Sequence, residues 1–363
     1  MTTETDNWRL QFLSDNSVPV CPEAWAALEE ANSNPDDAYA IAYGNDRFTA
    51  EATRLIQELF ETECEVFFVF NGTGANSLSL ASICQSYHGI LCHALAHPAT
   101  TEANAPEFYT GGAKFLQVEG ADGKIDPLAL QVRLQRDHDI HLSKIKAVTV
   151  TQATEIGTIY TPQELGRLAA LKDEYPQFDL KFHMDGARFA NAMAALDGVT
   201  PKELTWQAGI DVLAFGGTKN GFSGTEAIVI FDKALARDFA WRRKQAGQLA
   251  SKMRYLAAPW IGMLNTGAWL THARHANDHA RMLARELTSF PEISLNHETQ
   301  ASAVFVHLPK AVSDGLRARG WRFHHYPKID AWRFLCNWKS SKEGIAALID
   351  DVRDLLGTAN DHR

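Results

Sequence analysis

The sequence predicts an α/β protein built on a mostly parallel sheet, followed by a smaller α+β part at its C-terminal end. Short apolar runs rich in Val, Ile and Phe alternate with longer stretches of helical period, which is the pattern of strands joined by crossover helices. The texture changes after about residue 255, where a long helical region gives way to scattered short strands. At 363 residues the chain is long enough for two domains, each with a sizeable core.

In chain order, Thr49–Phe60 comes first, with Leu55/Leu59 and Ile56/Phe60 at i,i+4 spacing on one helical face. Five strands follow: Glu65–Phe70, Ala147–Thr151, Leu180–Met184, Asp211–Phe215 and Ala227–Phe231. Thr161-Pro162-Gln163-Glu164 is a capping box with Pro at the first helical position, and Thr200-Pro201-Lys202-Glu203 repeats that start signal. Met253–Ser289 reads as a long, broken helix. Strands at Ala303–Leu308, Arg322–Tyr326 and Arg333–Trp338 precede a last helix, Lys342–Leu356. The expected organisation is an N-terminal segment (1–30), a large ligand-binding domain (31–255) and a small domain (256–363).

Composition narrows the function. Hydrophobic residues make up 45% and charged residues 22%, ordinary for a folded globular chain. The formal charge of −9 argues against a broad basic face for nucleic acid. No stretch approaches the ~18 apolar residues of a membrane helix. The polar N-terminus, with Glu4 and Asp6, does not read as a signal peptide. Five widely spaced cysteines (Cys21, Cys64, Cys84, Cys92, Cys336) lack any C-x-x-C and suggest reduced, mostly buried thiols in the cytoplasm.

In an open parallel sheet, ligands sit beyond the carboxyl ends of the strands. Glu65–Phe70 is followed by Asn71-Gly72-Thr73-Gly74-Ala75-Asn76 and then a helix. Small residues let the backbone approach an anion, and a helix N-terminus supplies free N–H groups. A plain glycine turn gives the same pattern. A dinucleotide fingerprint does not fit, since the third glycine is missing and no Asp or Glu lies between Ser77 and Thr101. Leu180–Met184 is followed by Asp185-Gly186-Ala187-Arg188, either a carboxylate at the sheet edge or a helix N-cap with a surface Arg. Asp211–Phe215 is followed by Gly216-Gly217-Thr218-Lys219-Asn220-Gly221. Lys219 is either a loop lysine in solvent or an amine held among small residues, where a flat group lies close and a Schiff base is suited. In this order the three signals meet the needs of pyridoxal 5'-phosphate. The turn anchors phosphate, the Asp pairs with the pyridine nitrogen, and a lysine 34 residues later holds the aldehyde.

From Phe12 to about Leu356 the chain resembles the threonine aldolase family of fold-type I pyridoxal phosphate enzymes, in the branch of low-specificity L-threonine and phenylserine aldolases. The segments that carry the resemblance include Ser14-Asp15-Asn16, Tyr43-Gly44, His97, His183-Met184-Asp185-Gly186-Ala187-Arg188 and Trp332-Arg333-Phe334, with the glycine turn and the Lys219 loop. The resemblance implies a seven-stranded sheet in the large domain. It implies that Lys219 binds the cofactor aldehyde and that Asp185 faces the ring nitrogen. Gly72, Thr73 and Gly74 would hold the phosphate, and His97 would stack on the ring. Arg188 and Arg333, helped by Ser14, would hold the substrate carboxylate and the cofactor's phenolic oxygen. It also implies a homotetramer built from dimers, with shared sites to which Lys252 and Arg254 contribute cross-subunit phosphate contacts.

The implied reaction is retro-aldol cleavage of a β-hydroxy-α-amino acid to glycine and an aldehyde. Many members carry a histidine after the strand matching Ala147–Thr151; here the segment reads Gln152-Ala153-Thr154-Glu155. The expected base on the β-hydroxyl is therefore His97, directly or through a water. Alternatives are a β-eliminating lyase or aminotransferase of the same fold, a nucleotide-dependent oxidoreductase, and a non-catalytic binding module. His272, His275 and His279 share a helical face, read as polar rather than as a metal site, so no metal is expected. His324 and His325, near Arg333, read as strand-surface residues with one possible role in the substrate pocket. Tyr39, Phe108 and Tyr109 are candidate pocket aromatics.

Overall fold

The computed structural model describes residues 8–33, 35, 39–136 and 139–360. The large sheet has seven strands: β1 (Glu65–Val69), β2 (His88–His93), β3 (Lys114–Val118), β4 (Lys144–Thr151), β5 (Lys181–Gly186), β6 (Val212–Gly216) and β7 (Glu226–Ile230). Their order is β1-β7-β6-β5-β4-β2-β3. β7 runs antiparallel to both β6 and β1, while the pairs from β6 through β3 are parallel. The mostly parallel sheet expected from the alternating pattern is therefore present, and it is buried on both faces, as its apolar runs require.

Helix α1 (Pro22–Ser33) and helix α2 (Arg47–Phe60) cover this sheet with the help of the later helix Arg254–Thr266. α2 buries Phe48, Ala52, Ile56 and Phe60, one residue per turn on one face. Phe60 meets Phe189, Phe215 and Phe231 with ring centroids 5.3–6.0 Å apart. The capping box at Thr161 starts a helix, Pro162–Ala169, with both reciprocal bonds made. The second one does not. Glu203 reaches back to the Thr200 N–H at 2.8 Å, but the chain makes only turns there before a short 3₁₀ segment, Trp206–Ala208. One cap bond does not offset helix nucleation when no amphipathic run follows it.

The region read as one broken helix is two: Arg254–Thr266 and Ala268–Leu287, separated by Gly267 at φ +71°. Leu256 through Ala273 pack into the core around the large sheet, while Ala280 through Leu287 belong to a second core. That second core lies under an antiparallel sheet ordered β10-β11-β9-β8. Its strands are β8 (Ser294–Leu295), β9 (Ala303–His307), β10 (His324–Tyr326) and β11 (Ala331–Leu335). The N-terminal segment is tied to this layer. Phe12 stacks on Trp321 at 5.9 Å, and its carbonyl accepts from the Leu335 N–H at 2.9 Å. This anchoring carries Ser14, Asp15 and Asn16 across to the carboxyl edge of the large sheet. Among the described residues, no helix is long and apolar enough to cross a membrane. All five cysteines are buried and free.

Candidate active site

Register brings the chemistry to one edge. Asp185 pairs with Thr151 on one side and Ala214 on the other, so the ends of β4, β5 and β6 are level. β7 is reversed, so its first residue, Glu226, reaches the same edge, opposite Gly216 and Val69. Asp185 lies within β5 rather than after it as the sequence suggested, and it does not cap a helix. Its Oδ1 accepts from the Ala187 N–H at 3.1 Å.

These ends enclose an inner pocket of about 250 Å³ that shares walls with an outer cleft of about 620 Å³. One wall of the inner pocket is the start of helix α3 (Gly72–Ile83). The Asn71 side chain caps α3 by accepting from the Gly74 N–H at 2.8 Å. A Cβ built on Gly72 meets nothing within 4 Å, so the backbone there is open to an anion. Gly72 and Thr73 line the pocket. Gly74 departs from expectation: its N–H is taken by Asn71, and a Cβ on it would come within 2.8 Å of Gln248. It is a packing glycine, with Gln248 fixed in turn by the Phe70 N–H at 2.9 Å.

Opposite the cradle sits Asp185, only 3% exposed. The Asn76 side chain donates to Asp185 at 3.2 Å and to Glu102 at 2.8 Å. Glu102 in turn accepts from His97 Nδ1 at 2.8 Å, and this bond raises the His97 imidazole above its ordinary range. Lys219 lines both the inner pocket and the outer cleft, and its Nζ makes no hydrogen bond or ion pair among the described residues. Next to its loop, Glu226 accepts from the Gly217 N–H at 2.7 Å, and burial pushes its carboxyl up to about 7. An open helix N-terminus, a buried carboxylate and a half-buried amine with no protein partner fit pyridoxal phosphate end to end.

The outer cleft holds the guanidinium groups. Arg188 forks onto the buried Asp15 carboxylate at 2.7 and 3.1 Å. Arg333 lies over the Tyr326 ring, 5.4 Å from its centroid, and its Nε is buried with no hydrogen-bond partner. Burial, with Arg188 close by, depresses the Arg333 guanidinium. An anion between the two would relieve both. Ser14 lines the same cleft, although its Oγ already accepts from the Asn16 N–H at 3.1 Å. His325 is also on this wall and pairs with Asp330 at 3.0 Å. Burial lowers the His324 imidazole.

Several residues of this arrangement carried no functional signal in the sequence: Glu102, Glu226 and Tyr326, while Asp15 and Glu155 were visible only as members of quoted segments, without a role. Asn76 was visible only as part of the glycine motif. Other expected residues lie elsewhere. Lys252 is exposed, Arg254 lies over the Tyr255 ring, and neither lines the cleft of its own chain. Tyr39 and Phe108 are largely exposed, and neither they nor Tyr109 reach the cleft. The three helix histidines take separate protein partners: His272 the Glu23 carboxylate at 2.9 Å, His275 the Ser340 carbonyl at 2.7 Å, His279 the His275 carbonyl at 2.8 Å. A separate groove of about 510 Å³ between α1, α2 and the Arg254–Thr266 helix contains none of the candidate residues.

Comparison with known proteins gives the family and the fold. A model of the beta-eliminating lyase family matches residues 11–310. The chain is 49% identical to a low specificity L-threonine aldolase of Pseudomonas aeruginosa, over 96% of this chain and 98% of that one. It is 48% identical to a low specificity L-threonine aldolase of a Pseudomonas sp., over 95% of this chain and 98% of that one. A solved threonine aldolase of Leishmania major shares the fold, with a TM-score of 0.87 at 24% identity, covering 95% of this chain and 98% of that one.

Proposed function

This chain belongs to the beta-eliminating lyase family, in its threonine aldolase branch, and from that premise we infer how its residues carry the reaction. It is a pyridoxal-phosphate-dependent aldehyde-lyase that cleaves β-hydroxy-α-amino acids of the threonine type to glycine and an aldehyde. The observation that supports the residue assignments is the juxtaposition, in one pocket, of the Gly72–Thr73 helix start, Asp185 and the unpartnered Lys219. The oxidoreductase alternative falls with the family assignment.

In this reading the α3 N-terminus and the Thr73 hydroxyl bind the phosphate. Asp185, steadied by Asn76, keeps a proton on the pyridine nitrogen. His97, held by Glu102, forms the wall against which the ring packs. When bound, the cofactor supplies an electron sink conjugated to the substrate's Cα. Lys219, which lines both the inner pocket and the outer cleft, would hold the cofactor aldehyde when no substrate is bound. Arg188 and Arg333 grip the substrate carboxylate, since a guanidinium fork matches its two oxygens. With the amine and carboxylate both fixed, rotation about the substrate is restricted and the Cα–Cβ bond is oriented for cleavage.

The finer readings belong to the same proposal. The enzyme works in the cytoplasm, consistent with five free cysteines. It is a homotetramer built from dimers, in which Lys252 of the partner subunit and Arg254 of the partner subunit approach the phosphate. Both side chains sit away from the cleft of their own chain, which is what such a role requires.

The direct test is Lys219→Ala. The wild-type holoenzyme is expected to show an absorbance band of the lysine-bound cofactor that borohydride bleaches, and to release acetaldehyde from L-threonine or L-allo-threonine. Lys219→Ala is expected to lose the borohydride-sensitive band and to lower aldehyde release by at least about 1,000-fold. Retention of that band in the variant would transfer the cofactor to another lysine.

A further inference from the structure

Cleavage of the Cα–Cβ bond needs a group that takes the proton of the β-hydroxyl, and two proton acceptors besides Lys219 line both the inner pocket and the outer cleft: His97 and Glu155. They differ in what they touch. His97 Nδ1 is committed to Glu102, whose side chain is fully buried, and the bond raises the imidazole's affinity for its proton. That bond fixes the orientation of the ring and occupies one of its two nitrogens. Glu155 follows β4, in the segment where the histidine is absent, and forms the wall shared by the inner pocket, the outer cleft and a small cavity behind them.

We propose that Glu155 is the catalytic base on the substrate's β-hydroxyl, with Tyr326 as the residue that positions its carboxyl. The inference rests on the aldolase reading and adds the residue that moves the proton. Tyr326 is on β10, on the same wall of the outer cleft, with its hydroxyl beside the Glu155 carboxyl. The other charged groups facing Glu155 are His97, Asp185, Arg188, Lys219 and Arg333. Burial raises the carboxyl above its ordinary range and Asp185 adds to this, while His97, Arg188 and Lys219 favour its ionised form. What carries the assignment is place: Glu155 is the carboxyl on the wall between the pocket for the ring and the cleft for the substrate.

The step balances without another reactant. The hydroxyl O–H bond breaks and its proton goes to a Glu155 oxygen. The O–H electron pair becomes the second bond of the aldehyde carbonyl. The Cα–Cβ pair stays with the glycine-derived fragment, which takes one proton at Cα. The carboxyl gives up its proton and ends the cycle ionised, as it began.

Glycine separates this role from a structural one, because it fills the amine and carboxylate sites but has no β-hydroxyl. In Glu155→Gln holoenzyme, kcat for L-threonine cleavage should fall by about 100-fold or more. The dissociation constant for glycine, read from the cofactor's absorbance, should stay within about threefold, and exchange of the glycine α-proton in D₂O should persist. Glu155→Asp, which keeps a carboxyl, should recover at least about a tenth of wild-type kcat. Tyr326→Phe removes the hydroxyl beside the carboxylate, a dipole that favours its ionised form, and should move the acid limb of kcat/KM to higher pH. Cleavage by Glu155→Gln within about fivefold of wild type would overturn the proposal. So would parallel losses of cleavage, glycine affinity and exchange. If Glu155→Gln does not fold, the Tyr326→Phe profile decides, and an unmoved acid limb overturns the assignment. A wild-type enzyme that releases no aldehyde overturns the aldolase reading together with this inference; the variant results overturn this inference alone.

Discussion

Arg188 and Arg333 stand close in the outer cleft, yet among the described residues only Arg188 of the two has an ion-paired carboxylate, Asp15. Arg333 is left with a buried, unpartnered Nε. A guanidinium in that state gains from an incoming carboxylate what water would otherwise have given it. Arg333→Lys keeps the charge but loses the fork, so KM for the amino acid should rise by about tenfold or more while kcat changes less. Steady-state kinetics with L-threonine would check this, and an unchanged KM would remove Arg333 from carboxylate binding. Lys219, Asp185 and Arg188 stood out in the sequence because each belongs to a short local motif at the carboxyl end of an apolar run. Their pairings did not. Asp15 meets Arg188 across 173 residues of chain, and Asn76 meets Asp185 across 109. Such pairs are made by the register of the sheet and the docking of the N-terminal segment, which no local spacing encodes.

Helix α3 shows how one glycine-rich turn divides its labour between binding and packing. Gly72 faces open space, and Gly74 faces Gln248, which the Phe70 N–H pins in place. Gly72→Ala should leave the melting temperature of the apo-protein unchanged to within about 2 °C, because its Cβ displaces no protein atom. It should weaken cofactor phosphate binding by about tenfold or more by filling the cradle. Gly74→Ala should show the reverse order, with lower stability first. Thermal melts of the two apo-proteins and cofactor titrations check both, and equal behaviour would mean that the turn has no such division. At this scale the fold was largely readable. The five strands picked out by Val, Ile and Phe are present, and so is the break in the long helix. β2 and β3 escaped because His88-Gly89-Ile90-Leu91-Cys92-His93 and Lys114–Val118 each hold a single β-branched residue alongside polar or glycine positions. The start signal at Thr200 misled for the opposite reason, since its cap bond forms without a helix to extend it.

Across the molecule, two buried groups near the carboxyl edge of the sheet set opposing pH slopes on stability. Burial pushes the His183 imidazole down to about 4, with Thr149 bonded to its Nδ1 at 2.8 Å. From about pH 6.5 down to about 4 the unfolded chain takes a proton at His183 and the folded chain does not, so this group makes stability rise with pH. Glu226 acts the other way. Its folded pKa of about 7 lies above the ordinary 4.5, so the folded chain holds the extra proton across that interval. Its contribution is present at low pH and is lost as pH rises toward 7. Each shift is worth about 3 kcal/mol at its full extent, and the two oppose each other between about pH 4.5 and 6.5. Removing either one should expose the other. Relative to wild type, apo Glu226→Gln should gain stability as pH rises through this window, and apo His183→Gln should lose it, by up to about 3 kcal/mol each. Urea midpoints of the three apo-proteins at several pH values would read the slopes, and the remaining carboxylates cancel in the differences. Parallel curves for all three would show that the sheet edge does not hold these two groups in their neutral forms.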